Sequence, residues 1–171
     1  MLSKKMEQLL NEQINHEFYS AYLYLAMSAY LDDQGLKGAA SWFYVQYQEE
    51  TDHARYFYRY LLNVGGKVQF PSIPAPETDF SSLQDVLERT LAHERKVTAL
   101  INNLACVARD EGDFKTSQFL LWFVSEQVEE ETNCEDNMKK LKLAGEANLF
   151  LVDQDLGQRV YTASANPPVT L

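Results

Sequence analysis

The sequence lacks the features that would point to a membrane, secreted or nucleic-acid-binding protein. No apolar run approaches the ~18 residues that a membrane-spanning helix requires, and the N-terminal MLSKKMEQLL has no apolar signal core. Lys and Arg number 15 against 25 Asp and Glu, so no basic face is evident for nucleic-acid phosphates. We therefore expect a cytoplasmic protein with no membrane and no nucleic-acid partner.

Cysteine is also scarce, and proline is unevenly spread. The two cysteines, Cys106 and Cys134, fall in separate segments, which favours small, buried, reduced thiols over a disulfide. Three of the five prolines lie within residues 67–81, a stretch that is too long and too proline-rich for a tight reversal. This stretch predicts a long crossover between two helices.

Helical periodicity dominates the rest of the chain. Apolar residues recur in steps of three and four, which predicts helices at about 4–33, 36–64, 82–110 and 113–143. Short turns join the first helix to the second and the third to the fourth, so each pair is expected to be antiparallel. The sequence thus predicts an all-α four-helix bundle.

A final apolar segment follows the bundle. It predicts a short fifth helix at about 147–160 and a loose tail at 163–171. Because a four-helix bundle already buries its own core, the apolar face of this fifth helix indicates a contact within an oligomer.

Each predicted core stripe carries a carboxylate near its middle. These residues are Glu17, Glu50, Glu94 and Glu130, and His53 follows Glu50 by one helical turn. Side-by-side packing of similar helices would bring the midpoints to one level. An unpaired buried carboxylate costs several kcal/mol, so four would cost roughly 10–20 kcal/mol, comparable with the stability of a domain. Either some carboxyls are protonated or cations lie among them, and the ligand types suit two or more hard metal ions.

Together these features resemble a ferritin of the bacterial non-haem type over nearly the whole chain. The resemblance rests on Glu17, Tyr24, Glu49-Glu50-x-x-His53, Glu94, Trp122, the run Glu126–Glu130 and the ending Leu151–Gln158. It implies a single ferritin-like domain over residues 1–171. That domain would be an all-α, ferritin-like four-helix bundle with a long crossover between helices two and three and a short fifth C-terminal helix.

The resemblance implies an iron-storage protein with ferroxidase activity that assembles as a hollow 24-subunit homo-oligomer. Ferrous iron would be oxidised by dioxygen or hydrogen peroxide inside each bundle and deposited as a ferric mineral within the cage. By resemblance, Glu17, Glu50 and His53 would bind the first iron. Glu50, Glu94 and Glu130 would bind the second, with Glu50 bridging the two ions.

Further roles follow from the same resemblance. Gln127 would hydrogen bond to the ligands, and Tyr24 would lie beside them as a hydrogen-bond partner or electron donor, unless it is only a packing residue. A third, weaker iron site would use Glu49, Glu126, Glu129 and Glu130. Haem is not expected, because Thr51 stands where haem-containing relatives carry methionine. His16 and His93 adjoin two ligands in sequence and are expected to face away.

Other interpretations of these residues stay open. A bundle with the same ligands would also serve as a metal buffer or as a metal-bound structural domain without dioxygen turnover. A long crossover also occurs in helical signalling proteins, although the core carboxylates and the absence of a signal sequence oppose that role. A DNA-protecting mini-ferritin would place its ligands at a dimer interface, whereas this chain supplies a full set itself.

Overall fold

The computed structural model describes residues 2–171, which form four long α-helices and a short one. The long helices are α1 (Lys4–Asp33), α2 (Lys37–Asn63), α3 (Leu83–Asp110) and α4 (Phe114–Ala144). A 3-10 turn at Glu146–Asn148 leads into α5 (Leu149–Leu156), and residues 2–171 contain no strand. The predicted all-α bundle is confirmed, and each long helix begins and ends within one residue of its predicted bounds. No helix in this range is both long and apolar enough to cross a membrane.

Side-chain caps fix where three of the four long helices begin. Ser3, Ser82 and Asp113 precede α1, α3 and α4, and each accepts a hydrogen bond from the backbone N–H three residues further on. The residue before α2 provides no such bond. Instead, the Asp153 carboxylate in α5 accepts the backbone N–H of Ala39 at 2.8 Å. A distant part of the chain therefore caps the start of α2.

The packing of α5 corrects the prediction that its apolar face contacts another subunit. Val152 and Leu156 are buried in the core of their own chain, where they cover the start of α2. The helix ends at Leu156 rather than near residue 160, and Val160 is exposed. Phe150 and Leu151, on the other side of α5, are the apolar residues left exposed.

The stretch between α2 and α3 is the predicted long crossover. Near its start, the backbone N–H of Gln69 donates to Asn11 Oδ1 at 2.7 Å, close to the beginning of α1. Near its end, the Phe80 ring lies 5.4 Å from the Tyr30 ring, close to the end of α1. The crossover thus runs the length of the bundle, and α3 begins where α1 ends.

A polar layer divides the apolar core halfway along the bundle. One apolar cluster includes Leu10 and Phe57, and the other includes Met27 and Phe43. The buried polar residues between them come from all four long helices: Glu17, Gln46, Glu50, His53, Glu94, Gln127 and Glu130. The layer therefore lies at the level that the helix midpoints predict.

The C-terminal segment, residues 157–171, follows α2 along the bundle without regular secondary structure. Arg159 pairs with Glu49, and the Tyr161 hydroxyl donates to the Asp52 carboxylate. Val169 then packs against the first apolar cluster. The stretch predicted as a loose tail has no helix, but it does contact the bundle.

Candidate metal centre

Glu17, Glu50 and His53 bring three potential ligand atoms together in the polar layer. One oxygen or nitrogen from each residue lies within 4.8 Å of the other two, and all three side chains are buried. Glu50 Oε2 lies 3.4 Å from His53 Nδ1, one turn along α2. These are the three residues that the resemblance assigns to the first iron, and their atoms are close enough to surround one ion.

A second group shares the same imidazole. His53, Glu126 and Glu130 again place one ligand atom each within 4.8 Å of the others. His53 Nε2 lies 3.8 Å from Glu126 Oε1, on the side opposite Glu50. This group combines one residue predicted for the second iron, Glu130, with one predicted for the third site, Glu126.

Glu94 faces the same layer but belongs to neither group. The Tyr24 hydroxyl donates to Glu94 Oε1, and Gln127 Nε2 donates to Glu94 Oε2 at 3.2 Å. Buried polar groups require hydrogen-bond partners, and these two neutral donors satisfy the carboxyl. Tyr24 and Gln127 therefore lie beside the ligands as expected. The predicted set of Glu50, Glu94 and Glu130 is, however, not gathered at one point.

Two glutamines without a predicted role hold two of the carboxylates. Gln13 Nε2 donates to Glu17 Oε1 at 2.7 Å, and Gln46 Nε2 donates to Glu130 Oε2 at 2.9 Å. Gln13 precedes Glu17 by four residues, so helical spacing could have identified that pair. Gln46 contacts another helix, and no local pattern indicates its partner. Gln46 Oε1 is buried without a hydrogen-bond partner in the described part of the chain. This oxygen is therefore one further atom in the layer that is available as a metal ligand.

The predicted third site is partly assembled. Glu126 belongs to the second group, Glu129 is exposed, and Glu49 is half-buried. Burial raises the pKa of Glu49, Arg159 and His53 lower it, and Glu126 and Glu129 raise it further. These glutamates are thus close enough to repel one another. Arg159, which contacts Glu49, lies 110 residues away in sequence and was not predicted as part of the site.

Burial and mutual repulsion raise the pKa values of the carboxyls in the layer. Burial and then Glu130 raise the pKa of Glu94 from 4.5 to about 8. Burial likewise raises the pKa of Glu130 to about 7 and that of Glu50 well above its usual value, although His53 opposes both shifts. Burial lowers the pKa of His53, but Glu50 and Glu126 raise it, and the result lies well above 6.5. The carboxyls therefore compete for protons near neutral pH, and divalent cations would displace those protons.

Aromatic rings pack against the imidazole of the layer where α2 faces α4. The Trp122 and Phe123 rings lie 5.5 Å and 5.8 Å from the His53 ring, both edge-on. Trp122 also packs edge-on against Tyr56, with ring centroids 5.6 Å apart. These contacts fix the orientation of the imidazole and agree with a packing role for Trp122.

The remaining histidines and cysteines lie outside both groups. His16 is exposed, and His93 Nε2 lies 2.8 Å from the Ser20 hydroxyl. Burial lowers the pKa of His93 to about 4, so its imidazole is neutral at physiological pH. Cys134 is buried as predicted, but the prediction is wrong for Cys106, which is exposed on α3.

Comparison with known proteins identifies the family. The ferritin-like domain family matches residues 7–144. The bacterial non-heme ferritin of Staphylococcus aureus (strain USA300) is 38% identical over 163 residues, covering 94% of this chain and 98% of the relative. That of Staphylococcus saprophyticus is 40% identical over 166 residues, covering 96% and 99%.

Solved structures agree with the sequence relatives. An open-pore ferritin from the hyperthermophilic archaeon Archaeoglobus fulgidus is 42% identical with a TM-score of 0.92, covering 94% of this chain and all of that one. A humanized archaeal ferritin is also 42% identical, with a TM-score of 0.93 and coverage of 95% and 100%. The chain therefore belongs to the ferritin-like domain family, and its near-full-length relatives are ferritins.

Proposed function

We propose that this protein is an iron-storage ferritin that oxidises ferrous iron in the polar layer of its bundle. The observation that carries the proposal is that buried carboxylates from four helices share one layer with a buried imidazole, between two apolar clusters. Such oxygen-rich, hard ligand sets stabilise ferric over ferrous iron. The ferritin relatives support the same function.

In this proposal the ferrous ions are substrates that bind at two neighbouring positions. Glu17, Glu50 and His53 hold the first ion. Glu50, Glu94 and Glu130 hold the second, and the ion would draw these three carboxylates together. Glu50 would contact both ions, since it lies close enough to both Glu17 and Glu94 for their charges to act on it. Gln127 and Tyr24 orient Glu94, since both donate hydrogen bonds to its carboxyl.

Two ions at neighbouring positions allow a two-electron reaction. Each ferrous ion loses one electron, and one dioxygen accepts both electrons and is reduced to the level of peroxide. When hydrogen peroxide is the oxidant, the same two electrons reduce it to water. Ferrous binding first displaces protons from the carboxyls, because their raised pKa values leave them protonated near neutrality.

The oxidised ions must then leave the bundle. Glu49, Glu126, Glu129 and Glu130 form the third, weaker site in this proposal. Glu126 shares the second group with His53, whereas Glu129 is exposed to solvent. The four carboxylates therefore form a path from the buried ligands to the surface of α4, which suits the release of ferric iron for mineral growth.

The proposal also includes assembly into a hollow cage of 24 subunits in the cytoplasm. Neighbouring subunits would cover the exposed apolar surface of four side chains: Tyr22, Tyr44, Phe150 and Leu151. The cage would hold the mineral and separate it from other cell components. The two free thiols, Cys106 and Cys134, are compatible with a reducing compartment.

A ferrous titration, first without and then with dioxygen, tests the proposed function. We expect ferric absorbance to form rapidly and to correspond to far more iron per chain than the proposed sites can hold. The particle should have a mass of roughly half a megadalton if 24 chains of 19.7 kDa assemble. Glu50→Ala should abolish fast oxidation while the particle stays intact. Glu12→Ala, at an exposed position on α1, is the matched control and should oxidise iron at the wild-type rate. Oxidation by Glu50→Ala at that same rate would contradict the site, and saturation without turnover would contradict storage.

A further inference from the structure

Arg159 is the one arginine in contact with the third-site glutamates in the described part of the chain. Its Nη2 donates to Glu49 Oε2, and its guanidinium carbon lies 4.4 Å from the centre of the Trp42 ring. The side chain is about four-fifths buried, with an exposed fraction of 21%. The guanidinium is therefore held at a defined position beside Glu49 and does not simply screen the surface.

We propose that Arg159 is a tethered cation that occupies the third iron site and must be displaced before a metal ion binds Glu49. This role rests on the proposed function, because the third iron site is part of that function. A guanidinium carries one positive charge and contacts one carboxylate here, whereas a divalent ion carries two and can bind several carboxylates. Arg159 would thus pair with Glu49 when iron is scarce, and an iron ion would replace it at Glu49 when iron is abundant.

The contact of Arg159 is suited to exchange. Its Nη1 is buried but has no hydrogen-bond partner in the described part of the chain. An unsatisfied buried donor costs free energy, so the guanidinium is held less tightly than a fully paired one. Only one of its nitrogens donates to Glu49, although a carboxylate can accept two parallel bonds from arginine.

The backbone of Arg159 is joined to α5 by one long hydrogen bond, from its N–H to Leu156 O at 3.3 Å. The residue follows the end of α5 and lies in the C-terminal segment, which has no regular secondary structure. The next anchor is Tyr161, whose hydroxyl donates to Asp52, and Val160 between them is exposed. Displacement of the guanidinium would therefore loosen only this bond and the two that precede it, from Gly157 and Gln158.

The negative charge around Arg159 favours its replacement by a metal ion. Glu126 and Glu129 are close enough for their charges to act on Glu49, and Glu49 in turn acts on Glu130. One guanidinium neutralises only part of this cluster. A divalent ion would neutralise more of it, and Arg159 would then turn towards solvent.

Zinc binding tests this role without redox chemistry. Zn²⁺ is titrated calorimetrically into chelator-treated protein at pH 7, and the ion bound at Glu49 is identified as the one lost in Glu49→Gln. We expect Arg159→Gln to bind that ion about two- to fivefold more tightly, as the loss of one competing ion pair predicts. Arg159→Lys, which keeps the charge but not the planar stacking, should fall between wild type and Arg159→Gln. Arg109→Gln removes the same charge from an exposed pair on α3 and should bind as wild type.

Hydrogen exchange supplies a second readout that a purely structural role would not move. The amides of Gly157, Gln158 and Arg159 donate to backbone oxygens of α5 and should exchange faster when zinc binds wild-type protein, but not when it is added to Glu49→Gln. Equal or weaker binding of the third ion by Arg159→Gln would overturn the proposal, and so would exchange that zinc leaves unchanged. Loss of ferrous oxidation alone would contradict the proposed function instead, because zinc binding at Glu49 requires no oxidation.

Discussion

Glu94 is the carboxyl whose neutralisation should stabilise the metal-free protein. The side chain is buried, and burial followed by Glu130 raises its pKa from 4.5 to about 8. At pH 7 it is ionised in the unfolded chain but protonated in the folded chain, so folding must take up a proton. At about 1.4 kcal/mol for each pH unit between 4.5 and 7, this uptake costs about 3 kcal/mol.

The sign of this cost fixes its pH dependence. A carboxyl with a raised folded-state pKa carries no penalty below the unfolded pKa. The penalty grows as the pH rises and becomes constant above the folded pKa, here about 8. At pH 5 the same arithmetic leaves less than about 1 kcal/mol. Replacement by glutamine should therefore stabilise the protein at pH 7 and have little effect at pH 5.

Glu94→Gln keeps most of the local contacts. The new amide oxygen still accepts the Tyr24 hydroxyl, but its NH₂ group faces Gln127, whose side-chain amide must turn to present its oxygen. This adjustment reduces the gain to about 2 kcal/mol, or roughly 4–8 °C in melting temperature for a chain of this size. The cost of the adjustment should not depend on pH, because neither amide titrates.

Calorimetry of chelator-treated protein measures this gain at both pH values. Glu88→Gln, on the exposed face of α3, makes the same chemical change without burial and should leave the melting temperature within error of wild type. A lower melting temperature for Glu94→Gln at pH 7 would refute the reasoning. An equal gain at pH 5 and pH 7 would also refute it, since repulsion and desolvation act only on the ionised form.

Three other outcomes follow from the same contacts. Because Glu94 and Glu130 have pKa values of about 8 and about 7, zinc affinity should fall as the pH falls from 8 to 6. The released protons should make the binding enthalpy depend on the buffer. A zinc affinity independent of pH would contradict this. Tyr24→Phe should slow ferrous oxidation several-fold and leave zinc stoichiometry unchanged, whereas an unchanged rate would assign Tyr24 to packing alone. Asp153→Ala should cost about 1 kcal/mol and speed amide exchange in α5, whereas Asp155→Ala, which breaks only an exposed pair, should not.

The fold was predictable because long helices carry redundant signals. The apolar stripe of each helix continues for several turns, and Ser3 and Ser82 mark two of the N-termini. Glu17, Glu50, Glu94 and Glu130 were predictable as one buried layer because they interrupt these stripes at the same height. A single glutamate on a helix says little, since it is usually solvated. Four at matched positions are informative because their burial is too costly without protons or cations.

The missing parts of the prediction depend on contacts between distant segments. Gln46 reaches Glu130 across the bundle, and Asp153 caps α2 from the other end of the sequence. Arg159 reaches Glu49 only because α5 folds back and directs the C-terminal segment along α2. Helical periodicity identifies which face of a helix is buried, but it does not identify the partner of a side chain on another element.

The two apolar clusters explain how a repulsive layer persists inside a stable bundle. On one side Phe57 and Phe123 pack with ring centroids 4.2 Å apart, and on the other Tyr24 and Phe43 lie 6.0 Å apart. The same clusters include Ile101 and Leu87 of α3, so they hold all four helices above and below the layer. Its carboxylates cannot separate without opening one of the clusters. The layer therefore stays assembled while it is short of positive charge. That shortage favours the binding of cations, and the free energy of such binding would offset the repulsion that the apolar clusters otherwise sustain.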